Sequence, residues 1–529
     1  MDASSQQTSV IIIGGGLVGL SAAMLLAWHD VPCILIEKHG SPSLHPRAVG
    51  YTPRTMEIFN QVDIADQIPQ VPEGFKLQRI KVESMTGKWE EEPMPWKPPK
   101  FNEAMVEGPP ILHSPFKGAA LAQDRLEPII RAKALKLGAD IRLGAKMTSF
   151  KQNDDWVTVS VNCEDGEQYE IQASYMIAAD GHRSRVRETL GVTTSGRGHL
   201  NTVRSVLFRA SLEHYKKGYQ QFVIRQPDLE AFLTTYGDDR WVLMFTDDIE
   251  RPEEEQGNAI RKAVGLEDLD FEIITQGRWE LAARIADNFQ VGRVFLAGDA
   301  AHTLPPTRGG YGANTGIHDV HNLAWKLAAV LKGEFRSELL DTFSAERHPV
   351  AWLRHQQTFA RPDYAQFRQP SDDETEIYDD AAVELGQIYT SAFIFDDEHT
   401  ALEPLARPPD QWQGRPGTRM PYKSLSSSGA VETSSLDLLG REWLLVTEDE
   451  RWRGAVLETC KDFKMKMSCI AINCGGQYSD DGSFCKDLGL VEGGASLIRP
   501  DGHIAWRSRT RPAGGHRSLN DFVAAVATH

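Results

Sequence analysis

One run of the chain constrains its fold more than any other. Gly14-x-Gly16-x-x-Gly19 follows directly on an apolar, β-rich segment at 10–13 and opens an Ala- and Leu-rich helical segment at 17–28. A second apolar run at 33–36 closes on Glu37, so strand, glycine turn, helix and strand fall within about 30 residues, the size of a βαβ unit. Each glycine answers a physical need: Gly14 permits the tight turn, Gly16 lets backbone N–H groups reach a pyrophosphate, and Gly19 lets the helix pack close to the strand. The helix N-terminus, at Leu17 and Val18, adds its partial positive charge. Glu37 stands 18 residues beyond Gly19, where a carboxylate accepts the ribose hydroxyls of an adenosine, with Lys38 beside it. That carboxylate argues against a 2′-phosphorylated dinucleotide in this site. A bare glycine pattern also occurs in ordinary turns; the flanking strands, helix and carboxylate make this one a dinucleotide site.

Composition narrows the rest. The chain has 529 residues, 41% hydrophobic and 25% charged, which is ordinary globular usage and excludes a disordered or collagenous chain. Length alone predicts about three domains. The net charge of −17 argues against general nucleic-acid binding, since an acidic surface repels a phosphate backbone. Six cysteines are too few for a secreted disulfide framework. There is no run of about 20 apolar residues, and residues 1–8 lack the basic stretch of a signal peptide, so the expectation is a cytoplasmic protein without a membrane span.

The glycine motif does not separate NAD from FAD, but a second motif does. Residues 294–297 read as a buried strand that ends in Gly298-Asp299, followed by Pro305-Pro306, Gly309-Gly310-Tyr311-Gly312-Ala313 and a long helix from Asn314. Asp299 can bind a ribityl hydroxyl, and the helix N-terminus can stabilise the negative charge that a reduced flavin develops. The competing reading of Asp299 is a turn cap. Elsewhere, helical spacing at 126–137 stops at Gly138, alternating runs at 200–290 predict an antiparallel sheet, and 405–417 has the composition of a linker. Alternating strand and helix patterns after it predict a separate small α/β domain.

Taken together, the chain resembles the class A flavoprotein aromatic hydroxylases, the p-hydroxybenzoate hydroxylase and phenol hydroxylase group. Gly14 to Gly19 with Glu37, His45-Pro46-Arg47-Ala48, Gln123-x-x-Leu126-Glu127, Asp180-Gly181-x-x-Ser184, and Gly298 to His302 through Trp325-Lys326-Leu327 carry the likeness, which spans residues 9–360. Glu346-Arg347-x-Pro349 resembles the helix after the flavin site. The resemblance implies an α/β fold: a Rossmann-like FAD-binding domain at 1–75, 115–190 and 285–400, interleaved with an antiparallel-sheet substrate domain at 76–114 and 191–284. It also implies a linker at 401–417 and a thioredoxin-like domain without CxxC at 418–529. Arg47 and Gln123 would contact the FAD, Asp299 the ribityl chain, and Asp180 and Gly181 both FAD and NAD(P)H. Gly298, Gly310, Gly312, Ala313 and Asn314 would frame the flavin.

By the same resemblance, NADPH or NADH reduces FAD at a transient site, O₂ adds to give a flavin C4a-hydroperoxide, and a phenolic or polycyclic aromatic, polyketide-like substrate is hydroxylated. The anionic reductant would need local cations such as Arg47, Arg183 and Arg185. Baeyer–Villiger oxidation or epoxidation is the alternative on the same scaffold, and a non-enzymatic flavin-binding sensor is a reading of another class. A homodimer is compatible with the pattern. Arg308 occupies a position extra to the usual family run, and with the backbone at Pro306 it is a candidate for the reacting edge of the flavin; an outward loop arginine is the plainer reading. His318 stands where the family often has Gln. His318 and His321 share one helix face but lack further ligands, so no metal is expected, and His302 reads as structural. Tyr236 is a candidate substrate contact; Tyr236, Trp241, Phe245 and Trp279 are aromatic at strand spacing, which also suits plain core packing. Cys469 and Cys474 would face opposite sides of a strand, against a redox pair.

Overall fold

The computed structural model describes residues 6–41, 45, 48–72, 78–90, 111–306, 310–372, 374–396, 404–427, 432–473, 478–510 and 516–527. The apolar run at 10–13 lies at the centre of a sheet. Strand Gln6–Ile13 pairs in parallel with Cys33–Glu37 on one side and Gln168–Ala178 on the other, Val10 standing opposite Cys33 and Tyr175. Asp140–Leu143 and Val294–Leu296 extend the parallel array at its flanks. Both faces are covered, which is why Val10 to Ile13 is an unbroken apolar run rather than an alternating one. A hairpin of Ala145–Gln152 and Val157–Cys163 lies antiparallel along Gln168–Ala178. Helix Leu17–Trp28 is buried almost all round because it sits between this sheet and two further helices, Gln123–Lys136 and Tyr311–Leu331.

A long ribbon leads out of that layer. Strands Thr194–Arg209 and Glu272–Ala286 run antiparallel, from Thr194 opposite Ala286 to Arg209 opposite Glu272, and bulges twist them on the way. They enter a seven-stranded sheet, antiparallel except where Arg79–Val82 joins Gln221–Gln226 in parallel. Alternation gives this sheet two faces. One buries Phe208, Phe222, Leu233, Trp241, Leu243 and Phe245 against helix Glu253–Val264. That helix begins with three glutamates and ends at Gly265, whose φ of +83° suits a glycine C-cap. At the other edge, His302–Thr303 adds to Glu272–Ala286, so the chain after Gly298-Asp299 touches this sheet directly.

The last segment builds a four-stranded sheet ordered Met467–Ala471, Trp443–Thr447, Ala495–Ile498, Ile504–Ser508. The first pair is parallel, crossed over by helix Trp452–Phe463, and the others are antiparallel. Residues 404–417 before it are packed: Ala406 and Trp412 are buried, and Trp412 Nε1 donates to the Gly386 carbonyl at 2.7 Å. Among the described residues, no helix is long and apolar enough to cross a membrane.

This segment docks on helix Tyr311–Leu331 through an aromatic cluster and a buried set of charges. Trp443 stacks on Phe335 and meets Trp325 edge to face. Glu346 accepts from Lys326 Nζ at 2.8 Å, Asn322 Nδ2 at 2.7 Å, and Arg499 at 2.7 and 2.9 Å; Arg499 also binds Asp501. Two cations and two anions balance with essentially no solvent contact. The Arg499 and Lys326 charges hold the Glu346 carboxyl far below the usual carboxylate range in spite of burial. Removing Arg499 leaves Asp501 without its cation and Glu346 with only Lys326, a net buried negative charge. Arg499→Ala is therefore expected to cost about 3–5 kcal/mol in urea unfolding, with loss of contact between the last segment and the helix; a cost under about 1 kcal/mol would show that the cluster does not hold the segment.

Candidate active site

The glycine turn has the geometry its spacing predicts. Gly14 has φ +107°, and a Cβ there would lie 2.3 Å from the Ala179 carbonyl oxygen; at Gly19 it would lie 1.8 Å from the Gly14 carbonyl oxygen. At Gly16, the N-cap of helix Leu17–Trp28, the nearest atom to a Cβ would be Glu127 Oε1 at 4.0 Å. Gly14 and Gly19 are thus demanded by the fold, whereas the space over Gly16 is left open beside unmatched helix N–H groups. Glu37 Oε2 accepts from the Gly15 N–H at 2.6 Å and Oε1 from His39 N–H at 2.8 Å. Each oxygen keeps a lone pair for a ribose hydroxyl. Lys38 is exposed. Gln123 clamps the neighbouring loop: its N–H donates to the Ala48 carbonyl at 2.9 Å, and its Nε2 donates to Glu127 at 2.7 Å. Burial raises the Glu127 pKa, with the Asp124 and Glu37 charges adding to the effect. Arg47 lies outside the described residues.

The second motif converges on the same place. Gly298 has φ +59°, and a Cβ there would press on Val18 Cγ2 at 2.8 Å; one on Gly316 would do so at 2.5 Å. The Gly298–Ala300 turn therefore touches both the glycine-motif helix and helix Tyr311–Leu331. Asp319 fixes it. Its Oδ2 accepts from Gly298 N–H at 3.1 Å and pairs with His302 Nε2 at 2.6 Å, while Oδ1 accepts from Arg347 Nε at 2.8 Å. Asp299 is half-buried on this turn. Helix Tyr311–Leu331 starts after Gly310 at φ +60° with no side chain capping it. Gly312 and Gly181 have open space where a Cβ would project, and Asp180 Oδ1 is buried without a partner among the described residues.

The Asn314 side chain bonds inward. Its Nδ2 donates to the carbonyls of Gly310 and Gly50 at 2.8 and 3.1 Å, and its Oδ1 accepts from Thr55 Oγ1 and the Thr52 N–H at 2.6 and 3.0 Å. All of its hydrogen-bonding capacity is used inside the protein, so the side chain shapes the helix start, and Ala313 beside it is half-buried. His318 joins the same set through Thr55 Oγ1 at 3.1 Å, and His321 pairs with Gln61 at 2.8 Å. Burial holds both imidazoles well below their usual pKa, in the neutral form. Tyr364 donates its hydroxyl to the Pro306 carbonyl at 2.6 Å. Arg308 lies outside the described residues.

The aromatic candidates divide between the two sheet faces. Trp241 and Phe245 belong to the core under helix Glu253–Val264. Tyr236, beside a strand irregularity, and Trp279 are half-buried on the other side, with Phe232 and Met244. Burial raises the Tyr236 hydroxyl's pKa well above its ordinary value. Sequence reasoning missed Asp319, Thr52 and Thr55, which hold the cofactor turns without touching an obvious motif. Burial pushes the Cys469 thiol up to about 11; Cys474 lies outside the described residues.

The open Gly16 and Gly312 positions, the uncapped helix start and the unpartnered Asp180 oxygen are what a flavin dinucleotide would need. Known proteins agree. The FAD binding domain family matches residues 7–358, and the aromatic-ring hydroxylase C-terminal family matches 413–527. A tetracenomycin A2 monooxygenase-dioxygenase of Streptomyces glaucescens is 37% identical over 99% of this chain and 98% of its own length. A 4-methyl-5-nitrocatechol 5-monooxygenase of Burkholderia sp is 32% identical over 98% of this chain and 97% of its own. The crystal structure of aklavinone-11 hydroxylase with FAD and aklavinone superposes with a TM-score of 0.86 at 32% identity, covering 99% of both chains. The chain belongs to the FAD-dependent aromatic-ring hydroxylases. It is a flavoprotein monooxygenase of class A with an FAD-binding domain.

Two outcomes test this site. Gly16→Ala is expected to unfold like the wild type yet bind FAD at least about tenfold more weakly, because its methyl meets only the cofactor's path, whereas Gly19→Ala should lose both fold stability and FAD. Fluorescence titration with unfolding curves reads both, and equal FAD affinity in Gly16→Ala would move the pyrophosphate elsewhere. The His302 and Arg347 charges lower the Asp319 pKa from 3.8 to about 2 against the effect of burial. A depressed carboxyl stabilises the fold above 3.8 and loses that contribution as pH falls through about 2, worth about 2 kcal/mol. Urea unfolding of wild type and Asp319→Asn should converge by this amount over that range; parallel curves would assign the acid sensitivity to other groups.

Proposed function

We propose that the enzyme hydroxylates a phenolic ring of a polycyclic aromatic, polyketide-like substrate, using O₂ and NADPH or NADH. The observation that carries this is the open face of the seven-stranded sheet. The aromatic residues under its helix are fully buried, while its other face presents half-buried Phe232, Tyr236, Met244 and Trp279. That half-closed apolar wall adjoins the flavin turn through His302–Thr303. A flat aromatic ligand buries well against such a wall. Relatives named for tetracenomycin and aklavinone, both large polycycles, support the size class.

When bound, FAD would supply the redox chemistry of the reaction: acceptance of hydride from the nicotinamide, activation of O₂ and transfer of one oxygen atom. The chain's residues do the rest. In this reading Gly14, Gly16, Leu17, Val18 and Gly19 receive the pyrophosphate, Glu37 the adenosine ribose, and Asp299 the ribityl chain. Gly310, Gly312 and Ala313 present the helix N-terminus to the flavin, and Gln123, at the start of helix Gln123–Lys136, and Arg47 contribute further contacts. Asp180 and Gly181 serve FAD and reductant. Tyr364 steadies the Pro306 carbonyl, and Arg308, two positions further along the sequence, is the candidate for the reacting edge of the flavin. The domain division follows the two large sheets, with the substrate unit inserted in the FAD unit. The parallel pair and antiparallel hairpin of the last sheet support a thioredoxin-like reading of that segment.

The deciding experiment is a panel of simple phenols and of hydroxylated tri- and tetracyclic quinones, scored for faster NAD(P)H oxidation and for product mass. A gain of one oxygen atom on the polycycles is expected. Stimulation by single-ring phenols alone would reassign the substrate class, and a lactone or epoxide product would establish the alternative oxidation.

A further inference from the structure

A polar cluster stands in the open face of the sheet. Ser205 lies in register with Gly277 and is almost fully buried. Trp279 Nε1 donates to Ser205 Oγ at 2.6 Å, and His45 Nε2 lies 3.0 Å from the same oxygen. The His45 and Trp279 rings meet edge to face with centroids 5.0 Å apart. Gly277 makes the meeting possible: a Cβ there would come within 2.8 Å of both Ser205 Oγ and Trp279 Nε1, and within 3.1 Å of His45 Cδ2. His45 comes from the segment between Glu37 and Gly50, so the cluster sits where the cofactor unit meets the substrate sheet.

Valence fixes the direction of these bonds. An indole N–H can only donate, so Ser205 Oγ accepts from Trp279 and must place its own hydrogen elsewhere. A buried hydroxyl hydrogen needs an acceptor, and among the described residues the one in reach is His45 Nε2. With the bond in that direction the imidazole is the tautomer protonated on Nδ1, and Ser205 Oγ keeps one lone pair. Arg204 and Arg278 alternate with Ser205 and Gly277 along their strands, occupy the other face, and are both bound to Asp248. They leave His45 as the base in contact with Ser205.

We propose that Ser205 and His45 carry the proton away from the phenolic hydroxyl of the substrate, a step that rests on the phenolic reading above. The phenol O–H donates to Ser205 Oγ, and the Ser205 hydrogen passes to His45 Nε2. The products are a phenolate and an imidazolium; no electrons are transferred. The phenolate is the electron-rich form that accepts an oxygen atom readily. Trp279 and Gly277 are positioning residues that aim the hydroxyl.

The test uses oxidised holoenzyme and a hydroxyanthraquinone dye whose neutral form is yellow and whose anion is red. In the wild type the bound dye should ionise about one pH unit lower than in Ser205→Ala or His45→Gln, a tenfold shift in its acidity. Glutamine can keep the hydrogen bond but cannot take the proton. Turnover of the dye should fall about 10²-fold at neutral pH in both variants. The defect should vanish where the dye ionises unaided, and added imidazole should restore His45→Ala. FAD content and dye affinity report folding in each protein, and a variant that loses FAD is replaced by the imidazole comparison on His45→Ala. Equal ionisation of the bound dye in all three proteins overturns the relay alone. A wild type that binds no dye overturns the polycyclic substrate reading, and the relay with it.

Discussion

The structure depends on a helix that places its polar side chains in the core. In Tyr311–Leu331, Asn314, Thr315, His318, Asp319, Asn322 and Lys326 are all buried, and each has a partner on another segment. Asn314 grips the Gly50 loop and Thr55, Asp319 the Gly298 turn and Arg347, and Asn322 and Lys326 the Glu346 carboxylate. A buried polar group left without a partner costs about 1–3 kcal/mol, so the helix is stable in one position only, with every partner segment in place. The flavin turn and the uncapped helix start are therefore held rigidly, although neither is itself a rigid element.

The same logic explains why the last segment is not a passive appendage. Its hairpin sends Arg499 and Asp501 into the core beside Glu346, and the Asp501 carbonyl accepts from Arg54 at 2.7 Å. Arg54 also pairs with Glu57, which Arg419 grips from the other side. The helix Pro53–Gln61 that carries Arg54 and Glu57 also carries Thr55, the partner of Asn314. An unbroken series of charged and polar contacts thus runs from the last segment to the start of the flavin-side helix. Lost packing at the far end would be felt at the cofactor turn through the fixed geometry of these contacts.

Sequence periodicity captured the parallel sheet, the glycine turn, the second flavin turn and the antiparallel sheet, because each rests on local patterning. The helix before Gly138 fell where apolar spacing put it. What escaped were contacts between residues far apart in the chain. Lys326, Glu346 and Arg347 looked like family marks on two helices, but their partners lie up to 153 residues away, as for Glu346 and Arg499. Asn314 matched a cofactor pattern, and only the carbonyls of Gly50 and Gly310 reveal that its amide is spent on the backbone. Likewise alternation along a strand says which residues share a face but not which face is covered. That is why Trp241 and Trp279 looked equivalent and are not.

The chain's net charge of −17 sharpens one question, because FAD and its nicotinamide reductant are both anions. Most arginines near the flavin helix cannot help. Arg54, Arg347, Arg354 and Arg419 are buried against carboxylates, and Arg187 spends its guanidinium on the carbonyls of Ala300 and His182. Amides and helix ends at the glycine turn can attract a diphosphate without a buried cation needing a counter-charge when the site is empty. A reductant that only visits has different needs: it must be drawn to the surface and released again. Arg183 and Arg185 are exposed on the segment after Asp180-Gly181, where long-range attraction acts and screening keeps it weak. Backbone donors at the glycine turn and exposed cations after Asp180-Gly181 thus offer two kinds of electrostatics on one acidic protein.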